Sequence, residues 1–189
     1  MGFNLPNTAV SSLNWVPNLA VKSFAVGYQY NLFFNTKGQG STGPLADVNV
    51  RKAIALGIDR QKLAQIAAPP GVPARTVAKA VATSAFPSNT PWGAAHPPLP
   101  SDTTQAATML DAAGWTLVNN FRTKAGVQLR LNLVYYTFRS DFLVFAPEIK
   151  KQLEALGIQV TVTINDSPDS TDGFYAGAGF DMLLCRQFE

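Results

Sequence analysis

An α/β fold, a mixed sheet flanked by helices, is predicted for this chain by three observations. Runs such as YQYNLFF, QLRLNLVYY and IQVTVTI alternate with the two-residue period of strands, whereas DVNVRKAIALGI and TTQAATMLDAAGW repeat apolar residues every three or four positions, as helices do. The two patterns interleave in the order strand, helices, connector, helix, strand, helix, strand, strand, which is the order of a layered α/β structure. Composition agrees: 189 residues with 47% hydrophobic and 14% charged side chains can build one domain with a sizeable core.

Taken in order, the first strand lies within Val21–Asn35, with Tyr28, Tyr30, Leu32 and Phe34 on one side and Gln29, Asn31 and Phe33 on the other, and Gly27 offers a break into two strands. Asp47 can cap a helix in which Val50, Ile54 and Ile58 recur on one face, with Arg51 and Lys52 turned to solvent. Asp59 is a second cap, opening RQKLAQIA. Residues 67–102 hold eight of the 13 prolines and form a wrapped connector, which Val77, Val81, Phe86 and Trp92 would anchor to a core.

Ser101 or Asp102 caps the next helix, whose stripe is Ala106, Met109, Leu110 and Ala113; Gly114 ends it and Trp115 packs back. A turn containing Asn119, Asn120 and Gly126 leads to a strand with Leu129, Leu131 and Leu133 on one face, ending near Tyr136. The following helix carries Ala146, Ile149, Leu153 and Leu156, and Pro147 stands either in its first turn or inside a longer segment begun at Ser140. Gly157 closes that helix. Ile158, Val160, Val162 and Ile164 mark one face of a strand, NDSPDSTDG is a loop, and FDMLLC is apolar throughout, as a strand at a sheet centre would be.

Several chemistries can be weighed on their residues. Gly38, Gly40 and Gly43 spell G-x-G-x-x-G, the pattern of a dinucleotide-binding turn and hence of a nucleotide-dependent oxidoreductase. In such a turn the first glycine follows its strand directly and the third lies in a helix, yet Asn35, Thr36 and Lys37 intervene and Pro44 follows. A phosphate-cradling P-loop would need Lys where Pro44 stands. The glycines are therefore expected to form a surface loop. His96, the single histidine, sits among prolines as a loop residue, and no nucleophile elbow accompanies it. Asp166, Asp169 and Asp172 fall in one polar loop with only fragments of a calcium-loop pattern, so no metal and no cofactor are expected. NDS at Asn165 fits the glycosylation triplet, a short pattern common by chance.

Cys185 is alone and is expected to be a buried apolar residue; a disulfide framework is excluded. The 15 Lys and Arg against 12 Asp and Glu are scattered, so no nucleic-acid partner is expected. No run approaches the roughly 18 apolar residues of a membrane span, and MGFNLPNTAV lacks the basic start and apolar block of a signal peptide.

The segments LFFNTKG and PLADVNVRKAIALGIDRQKLAQIA resemble the extracytoplasmic solute-binding proteins that serve peptide and nickel ABC importers. That family's pattern is a strand ending in Asn, a loop, an Asp, Val-Arg-x-Ala and a later Asp-Arg; here these are Asn35, Asp47, Val50 to Ala53, and Asp59-Arg60. TPWG, DTTQAATMLDAAGW, LEALGI, VTVTI and GFDMLLCR follow in the family's order, and GFDMLLCR resembles the nickel and dipeptide branch more than the long-oligopeptide branch. The resemblance implies that residues 1–189 are a single α/β lobe, the C-terminal one, of a two-lobed type II periplasmic-binding-protein-like fold, excised from a longer chain, with the second lobe missing. It implies a receptor rather than an enzyme, located outside the cytoplasm, that binds a peptide or small-molecule ligand and delivers it to a membrane permease. It also implies a ligand-binding set of Tyr136, Arg139, Arg186 and Phe188. Arginine suits a carboxylate and aromatics suit flat or apolar ligand parts. A surface interaction domain that has lost transport is the remaining alternative.

Overall fold

Alternation and capping generate the elements, and a computed structural model shows how they assemble; it describes residues 13, 15–19, 28–37, 43–68, 99–166 and 179–188, with Tyr28, Gln187 and Phe188 described by their backbone alone. Strand β1 is Tyr28–Phe34, helices α1, α2 and α3 are Val48–Gly57, Arg60–Ala67 and Thr103–Ala112, and β2, β3 and β4 are Thr116–Val118, Phe121–Lys124 and Val127–Gln128. Strand β5 (Arg130–Tyr135), helix α4 (Phe142–Ala155), β6 (Gln159–Ile164) and β7 (Met182–Phe188) complete the order. The main sheet runs β1-β7-β5-β6. β5 is parallel to both β6 and β7, and β1 is antiparallel to β7. MLLC thus lies between two strands, as its unbroken apolar run predicts.

The principal core forms on one sheet face. Leu131, Leu133, Val160, Met182 and Leu184 meet Val50, Ile54, Ala106, Leu110, Phe142, Ile149 and Leu153 from the helices, while Tyr30, Leu32 and Phe34 pack at its edge. The opposite face has a smaller cluster of Val134, Phe180 and Leu183. Both faces of the central strands are therefore covered. Among the described residues no helix is long and apolar enough to cross a membrane.

The local motifs have physical roles. Asp47 accepts from the Asn49 N–H at 2.8 Å and Asp59 from the Lys62 N–H at 2.9 Å, so each aspartate opens its helix as the sequence predicts. Arg51 corrects the expectation of a solvated side chain: it donates to the Leu45 and Ala46 carbonyls at 2.7 and 2.9 Å, tying α1 to the 3-10 turn before it. Arg60 donates to the Ala55 carbonyl at 2.8 Å, closing the end of α1, and burial lowers its pKa. Glu148 of α4 receives Lys62 of α2 at 2.7 Å, and this bond, then that from Gln152, lowers its pKa.

Asp102 caps α3 through the Gln105 N–H at 2.8 Å. After α3, Gly114 at φ +85° lets the Trp115 N–H reach back to the Leu110 carbonyl at 2.9 Å, and Trp115 is buried. Residues 116–128 then depart from the single turn expected there. They form the antiparallel sheet β2-β3-β4, because Asn119-Asn120 and Ala125-Gly126 all take positive φ and close two tight hairpins. Pro147 falls inside α4, so the longer of the two predicted helices forms. The connector expected at 67–102, with Val77, Val81, Phe86, Trp92 and His96, lies outside the described residues except at its ends, as do Gly38, Gly40, Asp169 and Asp172.

Candidate functional site

Three parallel strands end together at one edge of the main sheet, and that edge is where an open α/β sheet offers a ligand its loops. Tyr136 to Ser140 follow β5, Asn165 and Asp166 follow β6, and Arg186 and Phe188 occupy the last residues of β7. Because β1 is antiparallel, its first residues join them: Tyr28 pairs with Phe188 and Tyr30 with Arg186. The fold therefore brings all four predicted ligand residues to one edge.

Tyr136 is half-buried, and its hydroxyl accepts from the Arg186 N–H at 3.1 Å and contacts Cys185 Sγ at 3.8 Å. Burial raises the Tyr136 pKa; the Arg186 N–H opposes that rise and the neighbouring Cys185 adds to it. The phenol remains a neutral donor and acceptor that ties the end of β5 to β7. Cys185 itself is half-buried, which corrects the expectation of a buried residue: it stands near the carboxyl end of β7 and packs against the second apolar cluster from its margin.

Arg139 is also half-buried, and its charge acts on the Tyr136 hydroxyl. No hydrogen bond from its guanidinium is found among the described residues. Arg186 is half-buried opposite Tyr30. For Phe188 only the backbone position at the end of β7 is described.

Further residues complete this edge. Asp166 accepts from the Thr137 N–H at 2.6 Å and from Thr137 Oγ1 at 2.7 Å, clasping the β5–α4 loop to the end of β6. Its pKa is lowered, by the hydroxyl bond first and the N–H bond second. Phe138 stacks on Tyr136 with ring centroids 4.0 Å apart and planes 12° apart, yet is 71% exposed. Phe142 meets the same tyrosine edge-on at 5.0 Å. Tyr30 donates to Asp141, so Asp141 makes no side-chain cap to α4 and instead fixes the start of β1. The aromatic run YYTF directly after a strand was the available signal for Phe138. Asp166 carried no local signal of its partner, which lies 29 residues away.

At the other edge, Asn35 donates to the Phe180 carbonyl at 3.0 Å, and Asp181 accepts the Asn132 N–H at 2.7 Å. These bonds give physical roles to the strand-ending Asn and to GFD. Gly43 has extended backbone and leads into the 3-10 turn Pro44–Ala46; α1 starts only at Val48. Asp47 already caps that helix with a carboxylate, so an anionic phosphate there would meet a negative charge instead of free N–H groups. β1 is also antiparallel to its neighbour, whereas a dinucleotide turn follows a parallel strand. Among the described residues no group of three or more His, Cys, Asp or Glu is placed to hold a metal ion.

A sequence-family model described as "Bacterial extracellular solute-binding proteins, family 5 Middle" matches residues 3–186. No curated protein sequence matches significantly. Among solved structures the chain is similar to the oligopeptide-binding protein AppA from Bacillus subtilis in complex with a nonapeptide, at 19% identity and TM-score 0.76, covering 97% of this chain and 36% of that one. It is similar to NikA from Brucella suis in complex with Fe(III)-EDTA, at 21% identity and TM-score 0.68, covering 97% and 35%. It is likewise similar to NikZ from Campylobacter jejuni in complex with Ni(L-His), at 13% identity and TM-score 0.77, covering 98% and 34%. At these identities the likeness is one of fold, and the chain spans about a third of each of those proteins.

Proposed function

This chain belongs to the bacterial extracellular solute-binding proteins of family 5, and from that premise we propose that it is one ligand-binding lobe of the receptor of an ABC importer. The ligand is an oligopeptide, a dipeptide or a nickel chelate; the solved relatives carrying a nonapeptide and Ni(L-His) support that range. The observation that carries the reading is the gathering of Tyr136, Arg139 and Arg186 at the carboxyl edge of three parallel strands. A second lobe of the same protein would close over this edge. Closure would add contacts from both sides only in the bound state. The receptor would act outside the cytoplasm and pass its ligand to a membrane permease. Binding, and no reaction, is what these side chains are asked to do.

Arg139 is assigned to an anionic group of the ligand, a peptide carboxylate or the carboxylate of a metal chelator, through charge-assisted hydrogen bonds. Calorimetric titration of the natural chain containing this segment with di- and tripeptides and with Ni(L-His) tests the reading. At least one class should bind, and Arg139→Ala should weaken that binding about tenfold or more, the loss expected for a hydrogen bond to a charged group. A change of less than about twofold would remove Arg139 from the site. Failure of the whole panel, with micromolar binding of a dinucleotide instead, would favour the oxidoreductase alternative.

A further inference from the structure

We infer that Phe138 is an aromatic shelf that selects ligands carrying an aromatic side chain beside a carboxylate, an inference that rests on the receptor reading above. An exposed phenylalanine on a loop usually samples several rotamers and contributes little selectivity. Phe138 is held differently. Its ring lies nearly parallel to Tyr136 at 4.0 Å. Tyr136 is in turn fixed by the Arg186 N–H at 3.1 Å and by the edge of Phe142 at 5.0 Å.

The residue before Phe138 is immobilised as well, since Asp166 takes both the backbone N–H and the hydroxyl of Thr137. The ring is therefore pinned from below while 71% of the residue stays open to solvent. A rigid, solvent-facing π surface gives stacking at small ordering cost. Its neighbour in sequence is Arg139, whose cation suits a carboxylate held on the same ligand residue. Together they specify a ligand residue with a ring and an adjacent negative charge, as at the carboxyl terminus of a peptide ending in phenylalanine. A second partner for the shelf, the other lobe, would press on Phe138 whatever the ligand's side chain.

The test separates these cases by a ratio of affinities. The natural chain containing this segment is titrated with two tripeptides, Ala-Ala-Phe and Ala-Ala-cyclohexylalanine, of nearly equal size and apolarity. The unmodified receptor should prefer the aromatic peptide about fivefold, the value of one stacked pair. Phe138→Ala should abolish that preference, and Phe138→Trp should restore it. Circular dichroism checks that both variants fold. Equal affinity for the two peptides, or a preference that survives Phe138→Ala, would overturn the shelf while leaving the receptor reading intact. If neither peptide binds, the shelf is overturned, and titration with Ni(L-His) then decides the receptor reading separately.

Discussion

Arg122→Ala is expected to lower the free energy of unfolding by about 3 kcal/mol, the scale on which a buried charged network fails when one member is removed. Arg122 is only 4% exposed. Its side chain donates to the Leu156 and Trp115 carbonyls, both at 3.0 Å, and pairs with Asp111, while its backbone N–H donates to the Gly157 carbonyl at 2.8 Å. One side chain thus holds the ends of α3 and α4 against β3. Truncation strands two carbonyls that water reaches poorly and opens space beside Gly157. Asp111→Ala should matter less, about 1 kcal/mol or below, because that side chain is 54% exposed and water can replace the partner. Urea unfolding of the two variants gives the comparison directly. Equal small losses would mean that Arg122 is solvated and that the hub does not exist.

Asp181→Ala carries the second largest effect, about 2 kcal/mol, from leaving the Asn132 N–H without its acceptor. Asp181 is buried, and its own backbone completes the junction: its N–H donates to the Asn132 carbonyl at 3.1 Å and its carbonyl accepts the Asn35 N–H at 2.8 Å. It therefore sets where β7 starts between β1 and β5, and so where Arg186 arrives at the far edge. Asp181→Asn keeps an oxygen acceptor and should lose well under half as much. Ligand affinity should fall with Asp181→Ala although the residue lies at the opposite end of the strand. Unchanged stability in both variants would show that the β5 N–H finds another acceptor and that Asp181 does not position β7.

What could be read in the sequence was what local chemistry determines. Asp47, Asp59 and Asp102 cap helices because a short carboxylate reaches a backbone N–H two or three residues on, and Gly114 and Gly157 end helices because both take a positive φ of about 85°. A side chain at Gly157 would also meet Leu117 Cδ1 at 2.6 Å. The strand faces were legible for the same reason, since Leu129, Leu131 and Leu133 alternate and are all buried. Strands β2, β3 and β4 were not, because two to four residues are too few for a period to show. Only the Asn119-Asn120 pair hinted at a hairpin.

Arg122 and Arg51 were hidden because their acceptors are main-chain carbonyls, which any sequence supplies; the Leu156 carbonyl lies 34 positions from Arg122. At the candidate site, Tyr136 and Arg139 were marked by the family resemblance, which points to the loop after LNLVYY. Phe138 was signalled only by the aromatic run YYTF, and Asp166 not at all, since a clasp between loops depends on how β5 and β6 pair. The glycine pattern spells a nucleotide turn, but Pro44 already argues against one in the sequence, and the capped helix and the antiparallel β1 argue against it in the structure.

Hydrogen–deuterium exchange of the natural chain containing this segment, with and without the peptide or nickel chelate that titrates, tests most directly whether the carboxyl edge of the sheet is the ligand face. Exchange should slow on ligand addition at residues 136–141 and 184–188, with residues 43–50 unchanged. Protection confined to the glycine loop and the start of α1, or protection nowhere in residues 28–188, would contradict it.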